Sequence, residues 1–183
     1  MKKYLILLGL ACCTTLSYGQ QTSRELLWSP DHKLTVTDFG IRNQGANAQL
    51  SFAQFSLDYA VGGFDFLSRK FNKKVRNVLI PSASWIDTTR MVARSLRYQQ
   101  TLFDIGEIYA RRFRKKLAEN RKMIARGTAV VQQWETEIAT ALSKRRLAYD
   151  LETQSGADEA RQKQWEDTIR EELSGLAPYA FDK

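Results

Sequence analysis

The side chains of this 183-residue chain with the types and spacing to do chemistry gather in two stretches. The first runs Tyr98-Gln99-Gln100-Thr101-Leu102-Phe103-Asp104-Ile105-Gly106-Glu107-Ile108-Tyr109-Ala110-Arg111. The second runs Tyr149-Asp150-Leu151-Glu152-Thr153-Gln154-Ser155-Gly156. Residues four apart on a helix share a face. Positions 98 and 102 therefore have the spacing at which two imidazoles hold one zinc ion, with the residue after the first serving as base. The residues present do not suit that task. Leu102 has no lone pair, Tyr98 is a poor substitute for a neutral imidazole, and Gln99 cannot hold a proton near neutral pH. The one histidine, His32, lies far upstream, and both cysteines, Cys12 and Cys13, fall in the N-terminal apolar segment. A zinc site of histidine and cysteine is thereby excluded from residues 20–183.

Carboxylates remain. Asp104, Glu107, Asp150 and Glu152 would suit calcium or magnesium better than catalytic zinc. The default for them is pairing and capping on helix surfaces with Arg111, Arg112 and Arg146, individually weak. Glu107 and Arg111 stand at ion-pair spacing on one helix, which contributes only about 0.3–0.5 kcal/mol at a surface. Serine catalysis finds no support, since no G-x-S-x-G occurs and His32 has no triad around it. Asp38 reads as a turn or capping residue.

The termini and composition bound the class. Lys2 and Lys3, the apolar run Tyr4 to Leu16 and the small residues around Ser17-Tyr18-Gly19 read as a secretory signal peptide over 1–19, with Gln20 as the mature start. The run is too short to span a membrane. The residues before Cys12 and Cys13 fit a lipidation signal poorly. Residues 20–183 suffice for one domain with a core, without disulfides. No later stretch is apolar enough to cross a membrane. The net charge of +8 falls by two when Lys2 and Lys3 are removed, and the remainder favours anionic surfaces such as envelope polymers or lipid headgroups. An exported chain is not expected to meet nucleic acid.

The elements that must position these residues divide the chain in two. In the first half, Lys33 to Phe39 alternates and is rich in β-formers, Asn43 to Asn47 reads as a turn, and Leu50 to Ala60 alternates over Phe52, Phe55, Leu57 and Tyr59. Gly62-Gly63 breaks that strand, residues 64–75 fit either period, and Val75 to Ile80 reads as a strand stopping before Pro81. In the second half a long helix is capped at Asp87 or Thr88, with the stripe Met91, Ser95, Tyr98, Leu102, Ile105, Tyr109, Phe113, Leu117. A second helix spans Thr128 to Thr153. A third begins near Ala157 and ends around Gly175, with Ser155 and Asp158 resembling a capping box. The expected architecture is α+β: a small N-terminal sheet packed against a C-terminal layer of three helices, in a single domain over 20–183.

Three separated stretches also carry a family resemblance. The helix resembles H-E-x-x-H followed by F-D-I-x-E-x-Y-A-R, with Tyr98, Gln99 and Leu102 in place of histidine, glutamate and histidine. Leu34-Thr35 with Asp38-Phe39 resembles an L-T-x-x-D-F opening. Tyr149 to Gly156, with Gln162 and Trp165, resembles Y-D-x-E-T-x-H-G followed by Q-x-x-W, with Ser155 at the histidine. Together with Ser84-Trp85 these resemble a bacterial secreted family, domain of unknown function 922, whose members look like zinc peptidases of the zincin type. The resemblance implies a zincin-like domain whose site is degenerate at Tyr98, Gln99, Leu102 and Ser155. Asp104, Glu107, Arg111, Asp150 and Glu152 are then retained motif residues, with no catalytic residue, metal or cofactor. The expected protein is an exported, inactive metallopeptidase homologue, periplasmic or extracellular. It would bind or scaffold an unknown protein or anionic envelope component. The alternative is a hydrolase with an altered, carboxylate-based metal site.

Two further features have a sharp and a plain reading. The runs Arg111 to Lys116, Arg121-Lys122 and Lys144 to Arg146 would form a basic docking patch or merely solvate two helix faces. Trp28, Trp85, Trp134 and Trp165 would stack a ligand or, as the default, pack the core. If the resemblance holds, Tyr98 and Leu102 should point into the space a zinc ion would take, with Gln99 beside it.

Overall fold

A computed structural model describes residues 25–43, 49–67 and 71–182; the signal-like segment 1–19 lies outside them. The fold is α+β. Strands β1 (Leu26–Leu27), β2 (Ile41–Asn43), β3 (Ser51–Tyr59) and β4 (Val75–Asp87) precede helices α1 (Val92–Glu119), α2 (Arg121–Ile124), α3 (Ala129–Thr153) and α4 (Glu159–Gly175). β4 is the spine of a mixed sheet. β3 runs antiparallel along one edge of it, while antiparallel β1 and parallel β2 share the other edge end to end.

β4 does not stop before Pro81, as the sequence predicts, but continues to Asp87. The register against β3 jumps, with Phe52 opposite Trp85 and Gln54 opposite Ile80, so β4 carries a bulge that contains Pro81. A bulge is where a strand tolerates a residue without an N–H. Ser84 bridges it: its hydroxyl donates to the Ile80 carbonyl (2.7 Å) and accepts from the Gln54 N–H (2.9 Å). Gly40 donates to the Pro81 carbonyl at 2.9 Å, and a Cβ there would lie 2.6 Å from that oxygen.

Local side-chain bonding overrides three sequence expectations. Lys33 to Phe39 is no strand, because Asp38 Oδ2 accepts from the Thr35 N–H (2.7 Å) and hydroxyl (3.0 Å) and closes a 3-10 turn over Val36–Asp38. α1 starts at Val92, not after a cap at Asp87 or Thr88. Asp87 still belongs to β4, its carboxylate accepts from the Thr89 N–H (2.8 Å), and exposed Met91 turns the chain with a φ of 50°. Asp158, rather than a Ser155–Asp158 box, caps α4 by accepting from the Arg161 N–H at 2.9 Å. The second helix lies where periodicity predicts it.

α1 is the axis of the molecule and contributes to all three apolar clusters. Phe103 packs with Trp28, Leu34, Phe55 and Leu79 on the sheet. Ile105, Ile108 and Tyr109 meet Leu142 and Tyr149 of α3 and Trp165 and Ile169 of α4. Ala110, Phe113 and Leu117 meet Phe71, Val75, Ile124, Val131 and Trp134. From Ile105 to Arg111 every residue is buried, so the helix is walled in on all sides. Trp28, Trp134 and Trp165 are core residues and Trp85 is half-buried.

Within that wall lies an ion cluster, and the Glu107–Arg111 pair is not at a surface. Glu107 Oε1 accepts from Arg111 Nε (3.0 Å) and Arg114 Nη1 (2.8 Å). Arg114 is 0% exposed and also donates to the carbonyls of Val75 (2.8 and 3.0 Å) and Tyr179 (3.0 Å). Burial pulls its guanidinium below its ordinary value, and Glu107 opposes that shift. Removing one member of such a cluster leaves buried charge uncompensated. Glu107→Ala should therefore lower unfolding stability by about 3–5 kcal/mol. Arg112→Ala, which breaks an exposed pair with Glu172, should cost under about 1 kcal/mol. Urea unfolding of both variants checks the contrast.

Candidate functional site

Tyr98 and Ser155, two of the four positions singled out in the sequence, meet near the N-terminal end of α1. Tyr98 donates its hydroxyl to Asp150 Oδ1 at 2.6 Å, and Ser155 donates to the same oxygen at 2.8 Å. Side chains from α1 and the α3–α4 turn thus share one carboxylate oxygen. Around them lies a cavity of about 360 Å³ with Ser51, Arg94, Ser95 and Gln154 on its walls. Gln99 is buried behind it and donates to Ser51 Oγ at 3.0 Å. Leu102 departs from expectation. It stands one turn along the same face but is not on the cavity wall, and it packs between the sheet-side and helix-side clusters.

The turn that carries Ser155 is built under strain. Gln154, Ser155 and Gly156 have φ values of 52°, 54° and 79°. Left-handed backbone at two consecutive non-glycine residues is costly and is held here by its surroundings. Thr153 Oγ1 accepts from the Gly156 N–H (3.2 Å) and donates to the Tyr149 carbonyl (2.7 Å). A Cβ on Gly156 would stand 3.1 Å from Tyr98 Cβ, so glycine is required both for its φ and for the close approach.

The retained motif residues hold the scaffold rather than line this cavity, Asp150 excepted. Asp104 accepts from Trp28 Nε1 (2.7 Å) and Gln100 Nε2 (2.8 Å). Glu107 and Arg111 belong to the ion cluster, and Glu152 accepts from Trp165 Nε1 at 2.9 Å. Tyr149 donates to Gln162 Oε1 at 2.6 Å and stacks on Tyr98. His32 pairs with Asp38 at 3.1 Å. The carboxylate cluster of the alternative reading does not assemble: among the described residues no group of three histidines, cysteines or carboxylates is placed to hold a metal ion.

Several residues of the basic runs are engaged within the fold. Arg111 and Arg114 are buried, Arg112 and Arg145 both pair with Glu172, Lys116 pairs with Glu137, and Lys115 lies 3.9 Å from Glu119. Arg146 turns inward over the Phe55 ring, 5.4 Å from its centroid, where burial pulls its guanidinium down to about 10. Among the described residues no helix is long and apolar enough to cross a membrane.

The electrostatics of the cavity disfavour a phenolate. Burial, then the bond to Asp150 and its charge, push the Tyr98 phenol well above its ordinary value. Ser51 and Gln154 escaped sequence reasoning because only the tertiary fold brings β3 and the turn after α3 to this part of α1, whereas Arg94, one helical turn before Tyr98, could have been found from its spacing. No protein-family model matches the sequence, and comparison with curated proteins and with solved structures finds no match either. The family resemblance thus rests on the motif residues themselves.

Two outcomes follow. Gly156→Ala should destabilise by at least about 1 kcal/mol, read by thermal or urea unfolding, because alanine must adopt a positive φ against Tyr98. The raised Tyr98 pKa also has a sign. Above pH ~10 the unfolded chain loses this proton while the folded chain keeps it, so stability falls as pH rises. Tyr98→Phe should make that alkaline fall shallower, and urea midpoints at pH 9 to 11 read it. An unchanged slope would show that Tyr98 does not titrate as its setting requires.

Proposed function

We propose that this protein is an exported, catalytically inactive metallopeptidase homologue that binds a partner through the former substrate cleft. The observation that carries the reading is the meeting of Tyr98 and Ser155 on Asp150 Oδ1. The resemblance implies that both positions hold ligands of one metal, and positions that share a metal must be neighbours in space. They are separated in sequence by more than the length of α3, yet both side chains reach one oxygen.

The chemistry at these positions supports binding over hydrolysis. A hydrolytic zinc site needs neutral imidazoles or carboxylates, an open coordination position and a base. Here the base position is an amide, the nearest helix position one turn on is an alkyl group in the core, and the phenol is held neutral. The walls nonetheless remain polar. Ser95 Oγ and Gln99 Oε1 are buried without a hydrogen-bond partner among the described residues, and such atoms call for a ligand or an ordered water. Arg94 adds a cation to the same wall. An exported partner with an anionic group for Arg94 and a polar group for the Ser95 hydroxyl fits this wall, and an envelope component is the expected source.

The test is zinc binding, by calorimetry with elemental analysis after dialysis. The purified protein should hold no stoichiometric zinc. The double variant Tyr98→His with Ser155→His should gain about one equivalent, with Asp150 as third ligand, since three ligands then surround one point. Stoichiometric zinc in the unaltered protein would overturn the inactive reading. No gain in a folded double variant would remove the argument that these positions descend from one metal site.

A further inference from the structure

A second, larger cavity of about 650 Å³ opens on a different face of α1, between the segment that follows β1 and helix α4. It is within the size range of small-molecule sites. Trp28, Leu34, Leu96, Ile169 and Leu173 make its walls largely apolar, and Asp104 stands among them.

Asp104 is only half satisfied. Its Oδ1 takes both available N–H groups, from Trp28 (2.7 Å) and Gln100 (2.8 Å). Its Oδ2 takes no hydrogen bond among the described residues, although a carboxylate accepts up to about four. Neither donor is charged. Burial pushes the carboxyl above its ordinary value, against those two bonds.

The cations on the walls are engaged elsewhere. Arg97 grips Glu166 through two bonds of 2.6 and 2.9 Å. Arg111 donates to Glu107 (3.0 Å) and to the Leu173 carbonyl (2.8 Å), and lies over the Trp28 ring. Arg170 is 2.9 Å from Asp167. Lys33 is exposed, where water and salt screen it. Of the two wall carboxylates, Glu166 is held by Arg97, and Asp104 alone has no ion-pair partner among the described residues.

We infer that this cavity is a binding site for a small apolar molecule bearing a primary ammonium group, with the ammonium on Asp104 Oδ2 and the apolar body against Trp28, Leu34, Leu96 and Leu173. An ammonium provides a charge-assisted bond to a carboxylate that otherwise sits unpaired in apolar surroundings. A hydroxyl offers only the weaker neutral donor, and a carboxylate would be repelled.

Three probes of equal length separate these cases: n-octylamine, n-octanol and octanoate, titrated into the purified protein by calorimetry at neutral pH below their aggregation limits. Octylammonium should bind at least about tenfold more tightly than octanol, and octanoate most weakly. Asp104→Asn keeps the shape and the Oδ1 acceptor. It should leave octanol binding unchanged, which also reports an intact cavity, and bring the amine-to-alcohol ratio to near one. The inference is overturned if octanol matches octylammonium, if octanoate binds best, if no probe binds, or if the asparagine variant retains the preference for amine. Because the Tyr98 cavity takes no part, Tyr98→Phe should leave all three affinities unchanged; a change there would place the amine in the wrong cavity.

Discussion

One carboxylate oxygen organises this molecule. Glu107 Oε1 receives both Arg111 and Arg114 in the middle of a helix that is buried all round. Two guanidiniums so sheltered from water need fixed hydrogen-bond partners. Arg114 therefore ties α1 to the first residue of β4 and to the carbonyl of Tyr179, while Arg111 ties it to the last turn of α4 and to the Trp28 ring. The sheet, the central helix and the C-terminal segment are registered through that one acid. Replacing such a cluster by apolar side chains can be neutral or stabilising, so its value is the single arrangement it permits, not net stability.

The same constraint runs outward along α1. Once the helix cannot rotate or slide, Asp104 faces Trp28 and the segment after β1, and Tyr98 faces the turn after α3. That turn carries three consecutive left-handed residues, a conformation that persists only where the surrounding structure over-determines it. Tyr98 packing on Gly156 and Thr153 bonding back to Tyr149 do this. The polar groups of Tyr98 and Asp104 are thus presented on rigid elements, which is the condition for selective binding without induced order.

The residues that match the family pattern divide by location. Asp104, Arg111, Glu152 and Gln162 make hydrogen bonds between elements, and Glu107 is bound within α1 by Arg111 and Arg114. Tyr98 and Ser155 share a cavity and Gln99 lies just behind it. Leu102 is partly buried between two apolar clusters, where an alkyl side chain gains from burial.

Much of this was legible in the chain itself. The three long helices, β3 and the first half of β4 follow from hydrophobic period, while the short strands β1 and β2 do not, and the α3 boundaries follow from Thr128 and the glycines. That Leu102 cannot ligate a metal and Gln99 cannot act as a base follows from residue types alone, since no arrangement gives leucine a lone pair. Other features depended on contacts distant in sequence. Alternation over Lys33 to Phe39 looks like a strand until Asp38 bonds to Thr35. Pro81 looks like a strand end until the bulge and Ser84 absorb it. The Glu107–Arg111 pair looks like surface decoration until Arg114, seven residues from Glu107, and the carbonyl of Tyr179 close around it. Nor does spacing reveal that Asp104 and Asp150 open on different cavities. Local bonding and period are properties of neighbours along the chain, which the sequence determines. Burial, and therefore the strength of every charge and the meaning of every polar group here, is a property of what the fold brings alongside, which only the tertiary structure decides.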